Sequence, residues 1–222
     1  SGADGLVRNL ETHEIVEQLF HGVAYAGKKP DNLVFMGIGE GLLNFNNLRD
    51  ALLVLSDQEG YGIAQRRITV STSGYVPGMY KLADLGKQFE LAVSLHAPND
   101  GMRSILIPDA VRYPIAEIMA ACSNYLEKTG RIPTFEYTLI DGINDAPETA
   151  RELAVLAKRQ RAKINVIPYN ETPNNDFRRP SRTKIKQFFA VLEKAGVPAT
   201  CRVEKGNSAS AACGQLRSAR KD

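Results

Sequence analysis

ITVSTSGYVPGMYKLADLGKQFELAVSLH (68–96) contains one complete strand–helix–strand repeat. ITVSTS (68–73) and LAVSLH (91–96) are β-branched or apolar runs, each stopped by a polar group, and a helix starting at Pro77 separates them. Three more runs of the same kind flank this unit: VFMGIGE (34–40), TFEYTLIDG (134–142) and INVIPYN (164–170). With amphipathic helices between them, the five runs predict a parallel sheet whose polar ends gather along one rim. In α/β proteins that rim is where ligands bind.

The helices are read from their apolar spacing and their caps. The first starts from Thr12 as N-cap, places Ile15, Val16, Leu19, Phe20 and Val23 on one face, and ends near Gly27. The second carries Leu48, Leu52 and Leu55. A helix from Pro114 turns Ile115, Ile118, Met119, Cys122 and Leu126 inward, and another covers Pro147 to about Gln160. The last starts from Ser181, buries Ile185, Phe188, Phe189 and Leu192, and stops at Gly196 before a final strand near Ala199 to Val203. Right-handed crossovers of this kind close into an open doubly wound sheet or a barrel. Without a Gly-rich dinucleotide fingerprint, and with a helix preceding the first strand, the pattern predicts an incomplete α/β barrel. Its runs are strands two to six, and its first strand lies upstream of Ser1.

Composition sets the bounds. At 222 residues and 43% hydrophobic content, the chain can bury a substantial core, and its even alternation of elements predicts one domain over 1–222. It lacks an apolar run of membrane-spanning length and a hydrophobic leader, so a soluble, cytoplasmic protein with no membrane partner is expected. Cys122, Cys201 and Cys213 are too few and too scattered for a disulfide framework or a zinc site. Lys plus Arg is 28 against 25 Asp plus Glu, a net charge of +3, which is far from the bias of a protein that binds nucleic acid by charge alone. Charge leaves the partner open.

Taken together, RNL (8–10), MGIGE with LLNFNN (36–47), RRITVSTSG (66–74), LAVSLHAPND (91–100), INVIPYN (164–170) and AACGQL (211–216) form an ordered set. The set resembles the radical S-adenosylmethionine RNA methyltransferases that modify carbon 2 of adenine in 23S ribosomal RNA and transfer RNA. The likeness runs from about Arg8 to Leu216. It implies an incomplete (β/α)6 partial TIM barrel of the radical SAM type. It also implies S-adenosylmethionine and a 4Fe-4S cluster as cofactors, ribosomal RNA and tRNA as partners, and a reducing protein for the cluster.

Three features depart from the family. The C-x-x-x-C-x-x-C that ligates the cluster does not occur in the 222 residues. By register, Ser1 falls just after its third cysteine, so the expectation is a chain truncated past the first strand and the cluster loop, inactive by itself in radical chemistry. Gly41 stands where the family has Pro, and GNSAS (206–210) stands where the family is acidic.

The resemblance implies a role for each candidate residue. Glu40, with Gly39 beside it, receives the cofactor's amino group, as a carboxylate suits an ammonium. Ser71 and the segment Ser94, Leu95 and His96 meet the cofactor's carboxylate and ribose, and Asn170 meets its adenine. Strand-end capping serves equally well for Ser71, a structural hydrogen bond for His96, and turn initiation for Asn170. Cys213 is the implied catalytic residue. In the family this cysteine takes a methyl group from one cofactor molecule, and a 5′-deoxyadenosyl radical from a second then activates it. The small residues from about 204 onward suit a mobile tail carrying it. Cys122 and Cys201 read as inert, and His13 and His21 as surface residues. Arg66, Arg67, Arg178, Arg179, Arg182, Lys184, Lys186, Arg217, Arg220 and Lys221 are the candidate phosphate contacts near the barrel mouth and the tail. A clusterless binding module and an adenine carbon-8 methyltransferase remain as alternatives.

Overall fold

The computed structural model describes residues 7–36, 39–107, 113–171 and 176–201. In chain order the elements are α1 (Thr12–Ala26), β1 (Leu33–Phe35), α2 (Phe45–Ser56), β2 (Ile68–Thr72), α3 (Val76–Asp84), β3 (Glu90–Ser94) and α4 (Asp100–Leu106). They continue with α5 (Ile115–Thr129), β4 (Thr134–Leu139), α6 (Pro147–Arg159), β5 (Lys163–Pro168), α7 (Arg182–Lys194) and β6 (Ala199–Cys201). Short 3-10 turns at Gly41–Asn44 and Gln65–Arg67 lead into α2 and β2. No described helix is long and apolar enough to cross a membrane.

The chain divides into two compact units. The first comprises residues 2–93 and 111–133. In it β1, β2 and β3 pair in parallel, with Val34 opposite Thr69 and Ser71 opposite Ala92. Parallel strands buried on both faces are nearly continuous in apolar residues, and Ile68, Val70, Leu91 and Val93 are each 0–1% exposed. Helices α3 and α5 cover the sheet through Met79, Leu82, Ile118 and Cys122, all fully buried or nearly so. Each such side chain contributes on the order of 1.5–3 kcal/mol by leaving water. The fully buried Tyr125 hydroxyl donates to the Phe89 carbonyl at 2.7 Å and so escapes a desolvation cost.

The second unit comprises residues 94–110 and 134 onward. Here β4, β5 and β6 are parallel, with Glu136 opposite Asn165 and Val166 opposite Cys201. Phe135, Tyr137, Ile164 and Val166 are buried, and the Phe188 ring of α7 lies 5.5 Å from that of Tyr137.

Several local expectations change. Glu11, not Thr12, is the N-cap of α1, because Glu11 and Glu14 form a capping box. Phe20 is half exposed and meets the edge of the Tyr61 ring rather than the core. Ile185 and Phe189 are half-buried, leaving Phe188 and Leu192 as the buried residues of α7. Helix α4, between β3 and α5, was not anticipated. Cys201 is exposed on β6, whereas Cys122 is buried and its thiol is pushed up to about 12 by desolvation.

Candidate functional site

In the first unit β1 ends at Phe35, so Glu40 stands beyond the strand rather than at its tip. It is the N-cap of the 3-10 turn at Gly41–Asn44, and its Oε1 accepts the Leu42 N–H at 3.0 Å. The backbone at Gly39, with φ of 97°, makes the reversal into this cap. A side chain there would meet nothing within 4 Å, so the backbone angle rather than space calls for glycine.

The other oxygen of Glu40 is held from β2. Ser73 donates to Oε2 twice, from its backbone N–H at 2.7 Å and from its hydroxyl at 2.6 Å. Ser73 is aimed by its neighbour, since Thr72 Oγ1 accepts from Gly74 and Tyr75 at 3.0 and 3.1 Å and fixes the turn into α3. A carboxylate offers about four lone-pair sites. Three are filled, and Oε1 keeps capacity for one more donor.

The asparagines of LLNFNN brace this turn. Asn44 donates to the Leu10 carbonyl at 2.6 Å, and Asn47 donates to Asn44 at 2.9 Å while accepting from Thr12 at 3.1 Å. The RNL and LLNFNN motifs are thereby tied to each other. Their role here is to position the chain.

In the second unit His96 is the focal residue. It has φ of 58°, in the left-handed region that non-glycine residues seldom adopt. Its ring Nδ1 accepts the Thr138 N–H at 3.0 Å, while its own N–H and that of Leu95 donate to the Glu136 carbonyl at 3.3 and 3.0 Å. Burial lowers the imidazole to about 4, helped by the buried Arg103 guanidinium. The ring is therefore neutral near pH 7. Because Nδ1 is an acceptor, the ring hydrogen sits on Nε2, which makes His96 a neutral donor. Leu95 has a fully buried side chain, so only its backbone can meet a ligand. Ser94 is half-buried at the end of β3, and Asn170 is half-buried two residues past β5.

Of the two serines flanking Thr72, the resemblance assigned Ser71 to the cofactor's carboxylate or ribose. That residue is buried within β2 opposite Ala92, and the serine bonded to Glu40 is Ser73. Asn144, fully buried after β4 and bonded to the His96 carbonyl, also escaped the sequence reading. Asn99 of SLHAPND caps α4 by accepting from Met102 at 2.9 Å, and it donates to Glu152 at 2.8 Å. Among the basic candidates, Arg66 and Arg67 lie at the entry to β2, the end opposite Ser73, so they are not at the strand-exit rim. Lys184 is engaged by Asp141 at 2.7 Å and Asp145 at 3.1 Å, and this pairing holds the Asp141 carboxyl below its usual range. Among the described residues no three His, Cys, Asp or Glu side chains could hold a metal. Cys213 and the tail lie outside the described residues.

Comparison with known proteins adds the following. Residues 4–154 match the model of the radical SAM superfamily. The chain is 45% identical over 217 residues to a probable dual-specificity RNA methyltransferase RlmN of Akkermansia muciniphila, covering 98% of this chain and 60% of that protein. It is 46% identical over 226 residues to the dual-specificity RNA methyltransferase RlmN of Marinobacter nauticus, covering 97% of this chain and 60% of that protein. The chain thus spans about three fifths of the length of these relatives. A crystal structure of a radical SAM methyltransferase from Sphaerobacter thermophilus superposes with a TM-score of 0.90 at 46% identity, covering 96% of this chain and 64% of that one. The expected parallel α/β fold is borne out on both counts, by the strand pairing within each unit and by this superposition.

Proposed function

The chain belongs to the radical SAM superfamily, and from this premise we infer that it is the catalytic barrel of an RNA methyltransferase acting on carbon 2 of adenine in 23S ribosomal RNA and transfer RNA. The observation that carries this reading is the identity of 45–46%, across nearly the whole of this chain, with proteins named dual-specificity RNA methyltransferase. The cofactors are S-adenosylmethionine and a 4Fe-4S cluster. The C-x-x-x-C-x-x-C that would ligate the cluster is not among these 222 residues, so the cluster is proposed for the whole protein. When bound, these groups supply a methyl donor and a one-electron start to radical chemistry. An electron-donating protein and a cytoplasmic location belong to the same proposal.

The polar groups that lie in or follow the parallel strands fit such a nucleoside cofactor. Glu40, with one free acceptor position on a carboxylate already fixed by three donors, suits an ammonium group. His96, a neutral donor through Nε2, suits a hydroxyl or carboxylate oxygen. The amide of Asn170 can both donate to and accept from a purine edge, while Ser71 and Ser94 offer hydroxyls. Cys213 is assigned the attack on the sulfonium methyl, because a thiolate is the side chain best suited to it.

The test is anaerobic reconstitution of the whole protein with iron and sulfide, followed by mass analysis of the RNA. The expected result is 2-methyladenine together with 5′-deoxyadenosine. Absence of both overturns the reading. In the Cys213→Ala variant methylation is lost while cofactor cleavage stays detectable, and methylated RNA from that variant would refute the methyl-carrier role.

A further inference from the structure

Asn144 lies in the loop between β4 and α6 and is fully buried. Its side-chain amide is fully engaged. Oδ1 accepts the Ile140 N–H at 2.7 Å, and Nδ2 donates one hydrogen to the Thr138 carbonyl at 2.7 Å and the other to the His96 carbonyl at 2.9 Å. Its own carbonyl accepts from the buried Tyr137 hydroxyl at 3.0 Å.

These bonds converge on one outcome. The left-handed backbone at His96 is strained for a residue with a side chain and persists only where its surroundings hold it. Asn144 holds it from two sides. One Nδ2 hydrogen fixes the His96 carbonyl directly, and the other fixes Thr138, whose backbone N–H donates to the His96 ring. Only asparagine has this combination of one acceptor and two donors at this reach. Aspartate matches the shape but would set an oxygen against two carbonyls, and serine is too short.

We propose that Asn144 is the positioning residue of the cofactor site: it locks the His96 backbone and ring so that the neutral imidazole presents Nε2–H to an acceptor oxygen of the bound nucleoside. This rests on the reading of His96 as a cofactor contact. Asn144 itself acts only through His96.

The experiment uses the whole protein labelled with ¹⁵N-histidine, with nitrogen shifts read at neutral pH beside titration with S-adenosylmethionine. The unaltered protein is expected to show His96 in the Nε2–H tautomer. In Asn144→Ala and Asn144→Asp the tautomers mix and the cofactor Kd rises roughly tenfold, the loss of about one well-placed hydrogen bond. In a His96→Gln background the same Asn144 substitutions add little to the Kd. An unchanged His96 tautomer in a folded Asn144 variant overturns the proposal, as does an equal loss of affinity in both backgrounds. Should both variants fail to fold, the unaltered protein still decides, since an Nδ1–H or charged ring there is incompatible with the lock. If His96→Gln binds the cofactor as tightly as the unaltered protein, the reading of His96 as a contact fails. The tautomer result separates that outcome from failure of the lock.

Discussion

Glu40 and His96 each follow a parallel strand, Glu40 five residues and His96 two residues past its end, yet they are fixed by opposite means. Glu40 is an acceptor gripped by donors, and the backbone N–H groups of Leu42 and Ser73 supply two of the three. His96 is a neutral donor held in a strained backbone by an asparagine 48 residues further on. A carboxylate is satisfied wherever a turn exposes amides, so its support can be built from adjacent loops. The left-handed His96 is held instead by the buried amide of Asn144. The two anchors should therefore respond differently to substitution, to packing and to pH.

The largest contrast is in ligand affinity. Glu40→Gln removes the charge proposed to meet the ammonium and turns an amide NH2 toward the donors of Leu42 or Ser73, and the expected loss is about 1.5–3 kcal/mol, roughly 10–100-fold in Kd. His96→Gln keeps a neutral amide donor and should lose less than that. Calorimetric titration of S-adenosylmethionine into the whole protein measures both, and equal losses would break the contrast.

Packing comes next. Gly78 of α3 lies against the turn that carries Glu40, and a Cβ there would sit 2.6 Å from Leu42 Cβ and 2.8 Å from Tyr75 Cδ1. Leu42 is buried, so it has nowhere to move. Gly78→Ala should cost about 1–3 kcal/mol of stability through overpacking. It should also weaken cofactor binding by shifting the Glu40 cap. A urea midpoint matching the parent protein would show that α3 does not buttress the turn.

These two anchors also mark how far the sequence could be read. The strands and most helices were legible because apolar runs, caps and prolines are local signals, and each run stopped where its chemistry changed. Helix α4 was not, because seven residues make too short a window for periodicity, although Asn99 followed by Met102 and Leu106 carried a cap-and-face signal. Motif context singled out Glu40 and His96, and the structure fixes each with its own bonds. That context did not show that Ser73 grips Glu40, since which serine reaches that carboxylate depends on where β2 ends and the chain reverses at Gly74. Asn144 left no trace, because its partners His96 and Thr138 adjoin it only after folding.

The pH response belongs to His96. Its folded value of about 4 lies below the ordinary 6.5, so between those values the unfolded chain binds more protons than the folded one. The stability His96 contributes is fully present above pH 6.5 and is lost as pH falls toward 4, with a slope of at most about 1.4 kcal/mol per pH unit. Carboxylates titrate in the same range, so the informative quantity is the difference between the parent and His96→Gln. Denaturant melts across this window should show a steeper fall for the parent. Parallel curves would mean that the folded ring takes up its proton as readily as the unfolded one.

The smallest effect concerns Gly41, the residue that follows the Glu40 cap. It occupies the first position of the 3-10 turn, a Cβ there meets nothing within 4 Å, and Glu40 before it is extended at φ −107° and ψ 106°. That is the conformation a residue preceding proline adopts, and proline at the first helical position gives up an N–H that helix geometry leaves unpaired. Gly41→Pro should therefore stabilise the protein by about 0.4–1 kcal/mol, chiefly by narrowing the unfolded ensemble. The Glu40 anchor is built from backbone amides, so its other donors, Leu42 and Ser73, should keep their bonds and cofactor affinity should not fall. A lowered melting temperature would mean that the turn depends on the freedom of glycine. The Glu40 side would then be held by a conformational demand like that at His96, and the contrast between the two anchors would be lost.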